Sequence, residues 1–472
     1  MKANQSNSMR SLIAIMVLGL VSGCSSTFEP WVKPYERDNL ADPIMSMNRN
    51  PVSMSYTHHA YRAREGSRGA EGGAGAAVAV TKQKLPSPPG TVRILIIRLI
   101  IACIIFGLLT WQAFAAVLPQ DRSDAMYHSY QGGGMSIDGP SILLRKKIGN
   151  HVSVSANYYV DTISGASIDV LATASPYAEE RTENSVGVDF LHNKTLMSLN
   201  YTTSSENDFE AESIHFGVSQ DFFGDLTTLT LGYSKGNDEV GKTGDDSFLE
   251  LAERQNYQLG ITQFITKNMI LGLSVENISD QGYLNNPYRS VRFLDASSAR
   301  GYRFETEVYP NTRRSNAASV TANYYLPYRA SVYGEAKVFS DSWGIQANTF
   351  KLGYIHTFGE DWIVELRARQ YQQDKADFYQ DLYSRSAEFN FRARDKEMST
   401  FNNLSLGFSV TYEFQFSAAN FFKKSTLNLD FDRVNFDYDD FRNVLAVETP
   451  VGEEPLYQFS ANITRLYVSI FY

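Results

Sequence analysis

The sequence predicts an all-β chain: a transmembrane antiparallel β-barrel of about sixteen strands, with a small lipoprotein-like segment and an internal apolar helix in front of it. Three observations carry this prediction. From Met126 onward, apolar and polar residues alternate with a period of two in run after run. The connectors between runs alternate between short and long. Tyr and Phe are abundant, at 28 and 29 copies, yet mean hydropathy is only -0.28. A membrane barrel produces that combination because lipid-facing and lumen-facing residues alternate and average out.

The runs are clear in sequence. Val152, Val154, Ala156, Tyr158 and Val160 alternate with Ser153, Ser155, Asn157, Tyr159 and Asp161. Leu271, Leu273 and Val275 alternate with Gly272, Ser274 and Glu276, and Trp362, Val364 and Leu366 with Glu365, Arg367 and Arg369. Runs of about ten residues suit tilted transmembrane strands and exceed the usual soluble strand. The apolar members, Leu273 and Val364 among them, are expected to face lipid. The polar members, such as Ser274, are expected to face a wet lumen.

Short connectors at Gly149-Asn150, His192 to Lys194, Phe223 to Asp225, Thr266 to Asn268, Leu326 to Tyr328 and Phe358 to Asp361 are expected at one end. Ser164 to Arg181, Lys235 to Glu253, Asp280 to Arg314 and Gln372 to Asn403 are expected to be long loops at the other. Parity requires a strand before Ser141 to Ile148. Met126 to Asp138 takes that place, although Gly132-Gly133-Gly134 interrupts it. Counting on to Tyr472 gives about sixteen strands, with Ser386 to Arg394 in a loop. If the Gly-rich first hairpin were a plug, the count would fall to about fourteen.

The front of the chain carries two export-type segments. Residues 1–24 combine Lys2 and Arg10 with a short apolar run, Leu12 to Val21, ending in Val21-Ser22-Gly23-Cys24. Residues 25–78 form a small module with a Gly/Ala-rich tail, and 79–93 read as a linker around Pro86-Ser87-Pro88-Pro89-Gly90. Residues 94–115 hold a second apolar run, Leu99 to Trp111, closed by Ala113-Phe114-Ala115, a cleavage pattern. Read otherwise, this run is a transmembrane helix tethering the barrel. The barrel region is 116–472. The mature barrel is expected to begin near Ala116, and the chain looks like two exported proteins joined end to end.

A net charge of -9 argues against nucleic acid as a partner. Cys24 and Cys103 both fall in export-type segments, so no structural disulfide is expected. Arg145, Asp189, Glu276, Glu365, Arg367 and Arg369 are candidate lumen-lining charges, for a solute pathway or for an ion-pair network that fills the barrel. Arg289, Arg292 and Arg303 lie in the long loop after Asn277. They are candidate anion-binding residues, because an Arg fork matches phosphate. Seven His residues are present, and His151 and His215 each stand beside Ser on the expected lumen face. Nothing in the sequence fixes a catalytic triad, so no enzyme and no metal site is predicted.

Several stretches add resemblances. Val21-Ser22-Gly23-Cys24 resembles the bacterial lipobox, which implies lipidation of Cys24. Leu466-Tyr467-Val468-Ser469-Ile470-Phe471-Tyr472 resembles the C-terminal signal read by the outer-membrane barrel assembly machinery. Tyr127 to Tyr130, Gly133 to Ser141, Ser219 to Leu226, Asn435 to Arg442 and Glu453 to Tyr457 resemble an outer-membrane family known only as a domain of unknown function, over 126–472. Trp31 to Arg37, Leu40 to Pro43 and Ala63 to Gly66 resemble a small uncharacterised lipoprotein family, over 1–78.

These resemblances imply a porin-like channel or transport barrel in the outer membrane of a Gram-negative bacterium, in contact with lipid and lipopolysaccharide. The alternative is a scaffold barrel partnering a lipoprotein and an envelope redox system of flavin and thioredoxin-like proteins. Asp161-Thr162-Ile163-Ser164-Gly165-Ala166-Ser167 resembles a flavin-transferase acceptor, which implies FMN on Ser167. The expected topology places it away from a periplasmic transferase. A strand running into a small-residue turn is the favoured reading, and no cofactor is expected.

Overall fold

The computed structural model describes residues 30–46, 49–62, 64–65, 117–171, 177–415 and 424–472. Cys24, the linker and the second export segment lie outside them. Eighteen strands follow the front module: β1 (Arg122–Gly132), β2 (Met135–Ile148), β3 (Val152–Gly165), β4 (Tyr177–His192), β5 (Thr195–Ser205), β6 (Phe209–Phe222), β7 (Thr227–Val240), β8 (Glu250–Thr266), β9 (Met269–Gly282), β10 (Ser290–Leu294), β11 (Tyr302–Thr306), β12 (Thr312–Leu326), β13 (Ala330–Asp341), β14 (Gln346–Phe358), β15 (Trp362–Gln373), β16 (Phe401–Phe414), β17 (Lys424–Arg442) and β18 (Leu456–Phe471). Sixteen of them form a closed antiparallel barrel, and β10 and β11 make a separate hairpin. Closure runs from Arg122 opposite Phe471 to Gly132 opposite Ala461, so no sheet edge is left to meet lipid.

The alternation sets the two faces. Leu144, Leu273, Val320, Phe350, Leu352, Leu406 and Leu466 are exposed on the outer face, while Asp189, Ser274, Glu276, Ser319 and Thr349 point inward and are buried. The six short connectors all fall at one end, the turn end, where the barrel also starts and finishes. The opposite end carries the 374–400 connector and the β10–β11 hairpin, and is the loop end.

The strands differ from expectation in two ways. Wall strands run from 11 residues in β5 to 19 in β17, because their polar ends extend beyond the apolar band and continue the ladder. The first hairpin also departs from the single strand predicted over Met126 to Asp138. Gly133 and Gly134, at φ 61° and 85°, turn the chain, and β1 and β2 pair around them. The Gly-rich stretch is therefore part of the wall, because its left-handed backbone is a turn and not an interruption.

The face assignment has a measurable consequence. Leu273→Arg places a charge on the lipid face and is expected to cost roughly 2–4 kcal/mol of barrel stability. Ser274 is a poor lumen comparator because it is packed against the wall. Ser234, opposite His215 and Asn256 on the lumen face, borders open space. Ser234→Arg is expected to cost little. Urea unfolding in detergent micelles checks this, and equal losses would invert the faces.

Candidate functional site

A sixteen-stranded barrel is too wide for wall side chains alone to fill, so its lumen holds water or an insert. Here the insert is the front module. Its first part, with short helical turns at Pro34–Glu36, α1 (Asp38–Ala41) and Pro43–Met45, lies against the turn end. Val32, Leu40, Ile44 and Met45 form one apolar cluster with Leu226, Ile270, Ile355 and Ile363 of the wall. The Arg329 guanidinium meets Asp42 at 2.8 Å, the Ser331 hydroxyl donates to the Ile44 carbonyl at 3.0 Å, and the Trp31 indole donates to the Phe264 carbonyl at 3.1 Å.

The chain then enters the lumen as α2 (Pro51–Arg62), a helix of 12 residues and so about 18 Å long. Pro51 at the first helical position costs no hydrogen bond, and the amides of Arg64 and Glu65 close the far end on the Tyr61 carbonyl. Each face of α2 has its own surroundings. Val52, Tyr56 and Ala60, spaced four apart, belong to the cluster that includes Met126, Tyr130 and Tyr159. Ser53, Thr57 and Tyr61, also four apart, bond the wall: Ser53 to Asp430, Thr57 to Arg465, and Tyr61 to Ser405 at 3.0 Å. Ser55 and His59 face open space.

Charge pairs fix both ends of the helix. Arg49 meets Glu365 at 2.7 Å. Arg369 grips Glu65 through two hydrogen bonds of 2.6 and 2.7 Å, and its guanidinium lies 4.1 Å from the Tyr61 ring centre. Asn403 donates to the same carboxylate at 3.1 Å. Removing one member of such a buried pair leaves an uncompensated charge, typically a loss of 3–5 kcal/mol. A second cluster surrounds Asp161, which accepts from Tyr159 at 2.6 Å and pairs with His128 at 2.9 Å and with His59 of the helix at 3.6 Å. Arg181 adds a guanidinium 2.7 Å from the His59 ring nitrogen.

On the β3–β9 side α2 leaves a chamber of about 770 Å³. Its lining mixes aromatic and neutral polar groups, including Tyr159, Tyr309, Asn256 and Gln258, with charges that are largely paired. The loop end is capped by ionic contacts between connectors. Arg292 is fully buried, bonded to Glu454 at 2.5 and 3.1 Å and to Asp381. Arg64 of the module approaches Glu397 of the cap at 3.8 Å.

The predicted site residues divide accordingly. Glu365, Arg367 and Arg369 come together on β15 against α2, with Arg367 held by Asp432 through two bonds of 2.7 Å. Arg145 and Asp189 pair with each other across the lumen wall, and Glu276 borders the chamber bonded by Asn256. Arg289 is taken by Asp395 and Glu397, and Arg303 by Asp295 at 2.8 Å. With Arg292, these three loop arginines have their forks on carboxylates, where an anion would have to sit. Ser167 is buried at the loop end, just before the single-turn helix Ile168–Leu171. His151 lies at the turn end instead of on the lumen wall, its ring nitrogen 3.0 Å from the Leu191 carbonyl.

Sequence reasoning missed Arg49, Ser53, His59, Tyr61 and Glu65. The signal available was helical spacing: Val52, Tyr56 and Ala60 on one stripe and Ser53, Thr57 and Tyr61 on the next.

Burial alone pushes the Glu397 carboxyl up, but Lys396, Arg289 and Arg64 outweigh it and hold the group below its ordinary value. The unfolded chain therefore binds this proton more readily. The stability from Glu397 is fully present above pH 4.5 and is lost as pH falls through the depressed value. Glu397→Gln is expected to cost about 3–5 kcal/mol at pH 7, and the gap to wild type should narrow below pH 4.5. Melting curves across pH check this, and a gap independent of pH would refute it.

Residues 100–432 match the family described as "Protein of unknown function (DUF3570)". The chain belongs to this family. The DUF3570 match takes in β1 to β16 and β17 up to Asp432, hence most of the wall around the lumen. Residues 32–76 match a second description, "Domain of unknown function (DUF4266)", which contains the whole of α2. The contacts between α2 and β15 thus join the two matched regions.

No curated protein matches the chain. Among solved structures, a bacterial polysaccharide outer membrane secretin is 6% identical with a TM-score of 0.41, covering 75% of this chain and 100% of its own. OccK2 (OpdF) of Pseudomonas aeruginosa in complex with glucuronate is 10% identical, with a TM-score of 0.36 and coverages of 75% and 96%. A Pseudomonas aeruginosa FadL homologue is 11% identical, with a TM-score of 0.34 and coverages of 75% and 91%.

Proposed function

We propose that this chain is a transport barrel of the Gram-negative outer membrane, closed in this state by its own N-terminal module. The observation that carries the reading is α2, seated in the lumen with a charge pair at each end and beside a chamber of about 770 Å³. A purely structural filler would be better served by apolar packing, since ionic seats cost desolvation. The wall charges around the chamber are largely paired, as in Arg254 with Asp280 and Arg313 with Asp341. With those charges taken up by one another, the aromatic and neutral polar groups between them suit small uncharged polar solutes, such as sugars, better than ions.

A flux assay in proteoliposomes tests this. Neutral sugars should enter slowly with wild-type protein and rapidly with the double variant Arg49→Glu/Glu65→Arg. A second reading has its own support: Glu365, Arg369 and Asp430 each hold a module side chain, as a scaffold for the module would. Absence of flux in both proteins would favour the scaffold and overturn transport.

A further inference from the structure

We infer that the lumen is the docking site for a separate polypeptide, namely the N-terminal module after it has been cut from the barrel. The inference holds whether or not the barrel conducts. The described part of the module runs to Glu65, which is held by Arg369, and β1 begins at Arg122. The cleavage pattern Ala113-Phe114-Ala115 lies between them. Hydrolysis of the Ala115–Ala116 peptide bond by an envelope signal peptidase consumes one water. It creates one new carboxylate and one new amine, and cuts neither α2 nor any wall strand.

The non-covalent contacts between the two parts remain, among them Arg49 with Glu365, Ser53 with Asp430, and Glu65 with Arg369. They supply matched charges at both ends of the helix, and so a defined orientation. The apolar cluster of Val32, Ile44 and Met45 with Ile270, Ile355 and Ile363 adds a hydrophobic seat at the turn end. The entry point also suits a lipid anchor. Trp31 bonds the Phe264 carbonyl at the barrel rim. The chain from Cys24 to Pro30 spans at most about 20 Å, so a lipidated Cys24 would reach the adjacent leaflet while α2 stays docked. The structure assigns the barrel lumen as the receptor and the lipid-anchored module as its ligand, in a one-to-one complex of two chains.

The test expresses the whole gene with an affinity tag in the exposed β7–β8 connector at Gly244-Asp245. Protein purified from outer membranes in mild detergent is then weighed intact. The expected result is two polypeptides in equal amounts: a barrel starting near Ala116 and a module lipidated on Cys24. Arg369→Glu should reduce module retention at least about a hundredfold, as loss of a buried pair implies, and adding Glu65→Arg should restore it. Should Arg369→Glu itself disturb barrel folding, Glu65→Arg alone leaves the wall untouched and must produce the same loss. A single uninterrupted chain, or a wild-type barrel recovered without the module, would overturn the proposal. Flux results do not enter this outcome, so its failure is distinguishable from failure of the transport reading.

Discussion

Wild-type protein in a planar bilayer is expected to be nearly silent, and Arg49→Glu/Glu65→Arg to show frequent single-channel steps. Both substitutions lie on the module, so the wall is unchanged. Each puts like charges at a buried seat, against Glu365 at one end of α2 and against Arg369 at the other. Breaking one such pair typically costs 3–5 kcal/mol, so open probability should rise on the order of a hundredfold or more. Removing residues 30–65 is the limiting case and should give the largest steps. Breaking a solvent-exposed pair instead, with Arg303→Ala opposite Asp295, should leave conductance unchanged, because exposed pairs are worth about 0–1 kcal/mol. Equal silence in every variant would mean that the barrel is blocked by something other than α2.

Deleting Phe471 and Tyr472 is expected to abolish assembly of the folded barrel. Phe471 pairs with Arg122 on one side and Lys424 on the other, at the point where the sheet closes on itself. Its ring lies 5.0 Å from the Arg122 guanidinium. The Tyr472 hydroxyl donates to the Arg145 carbonyl at 3.2 Å, and its ring lies 4.8 Å below the Lys146 ammonium. The deletion leaves the starts of β1 and β17 without their partners at the seam where the sheet closes, and an open sheet edge is not tolerated in the membrane. The expected product is protease-sensitive material without a heat-modifiable band on gels. A fully inserted, heat-modifiable deletion mutant would contradict the closure described here.

The wall was legible in sequence because its physics is local. Period-two alternation assigns Leu273 outward and Glu276 inward without knowledge of any neighbour, and the tight connectors follow from turn residues such as Gly149-Asn150. Strand ends were less legible, since beyond the apolar band both faces are polar and alternation gives no signal. The polar length of β17 shows this. The Gly triplet misled because glycine weakens a strand and makes a turn equally well, and only the register of β1 on β2 decides between them.

The lumen site was legible only by halves. Glu365, Arg367 and Arg369 stand out as charges on an inward face. Their partners Arg49 and Glu65 belong to a different module more than 250 residues away in sequence, and matching them needs the fold. Asp161 was visible as a lumen-facing polar residue, and only closure of the barrel and entry of α2 bring His128, His59 and Arg181 beside it. The loop arginines show the converse limit. Their clustering was real, but Arg289 and Arg292 are occupied by carboxylates of other connectors and Arg303 by Asp295 of its own.

A cysteine pair reports whether α2 occupies the lumen. Ser53 and Asp430 touch through their short side chains, so Ser53→Cys/Asp430→Cys, in a background lacking Cys103, places two thiols within disulfide reach. In intact outer membranes, mild oxidation should link the module to β17, visible as a mobility shift that reductant reverses, and should lock conductance off until reduction. A pair that fails to cross-link, with the thiol at position 430 freely labelled by a water-soluble maleimide, would show that the lumen is empty and that α2 does not close it.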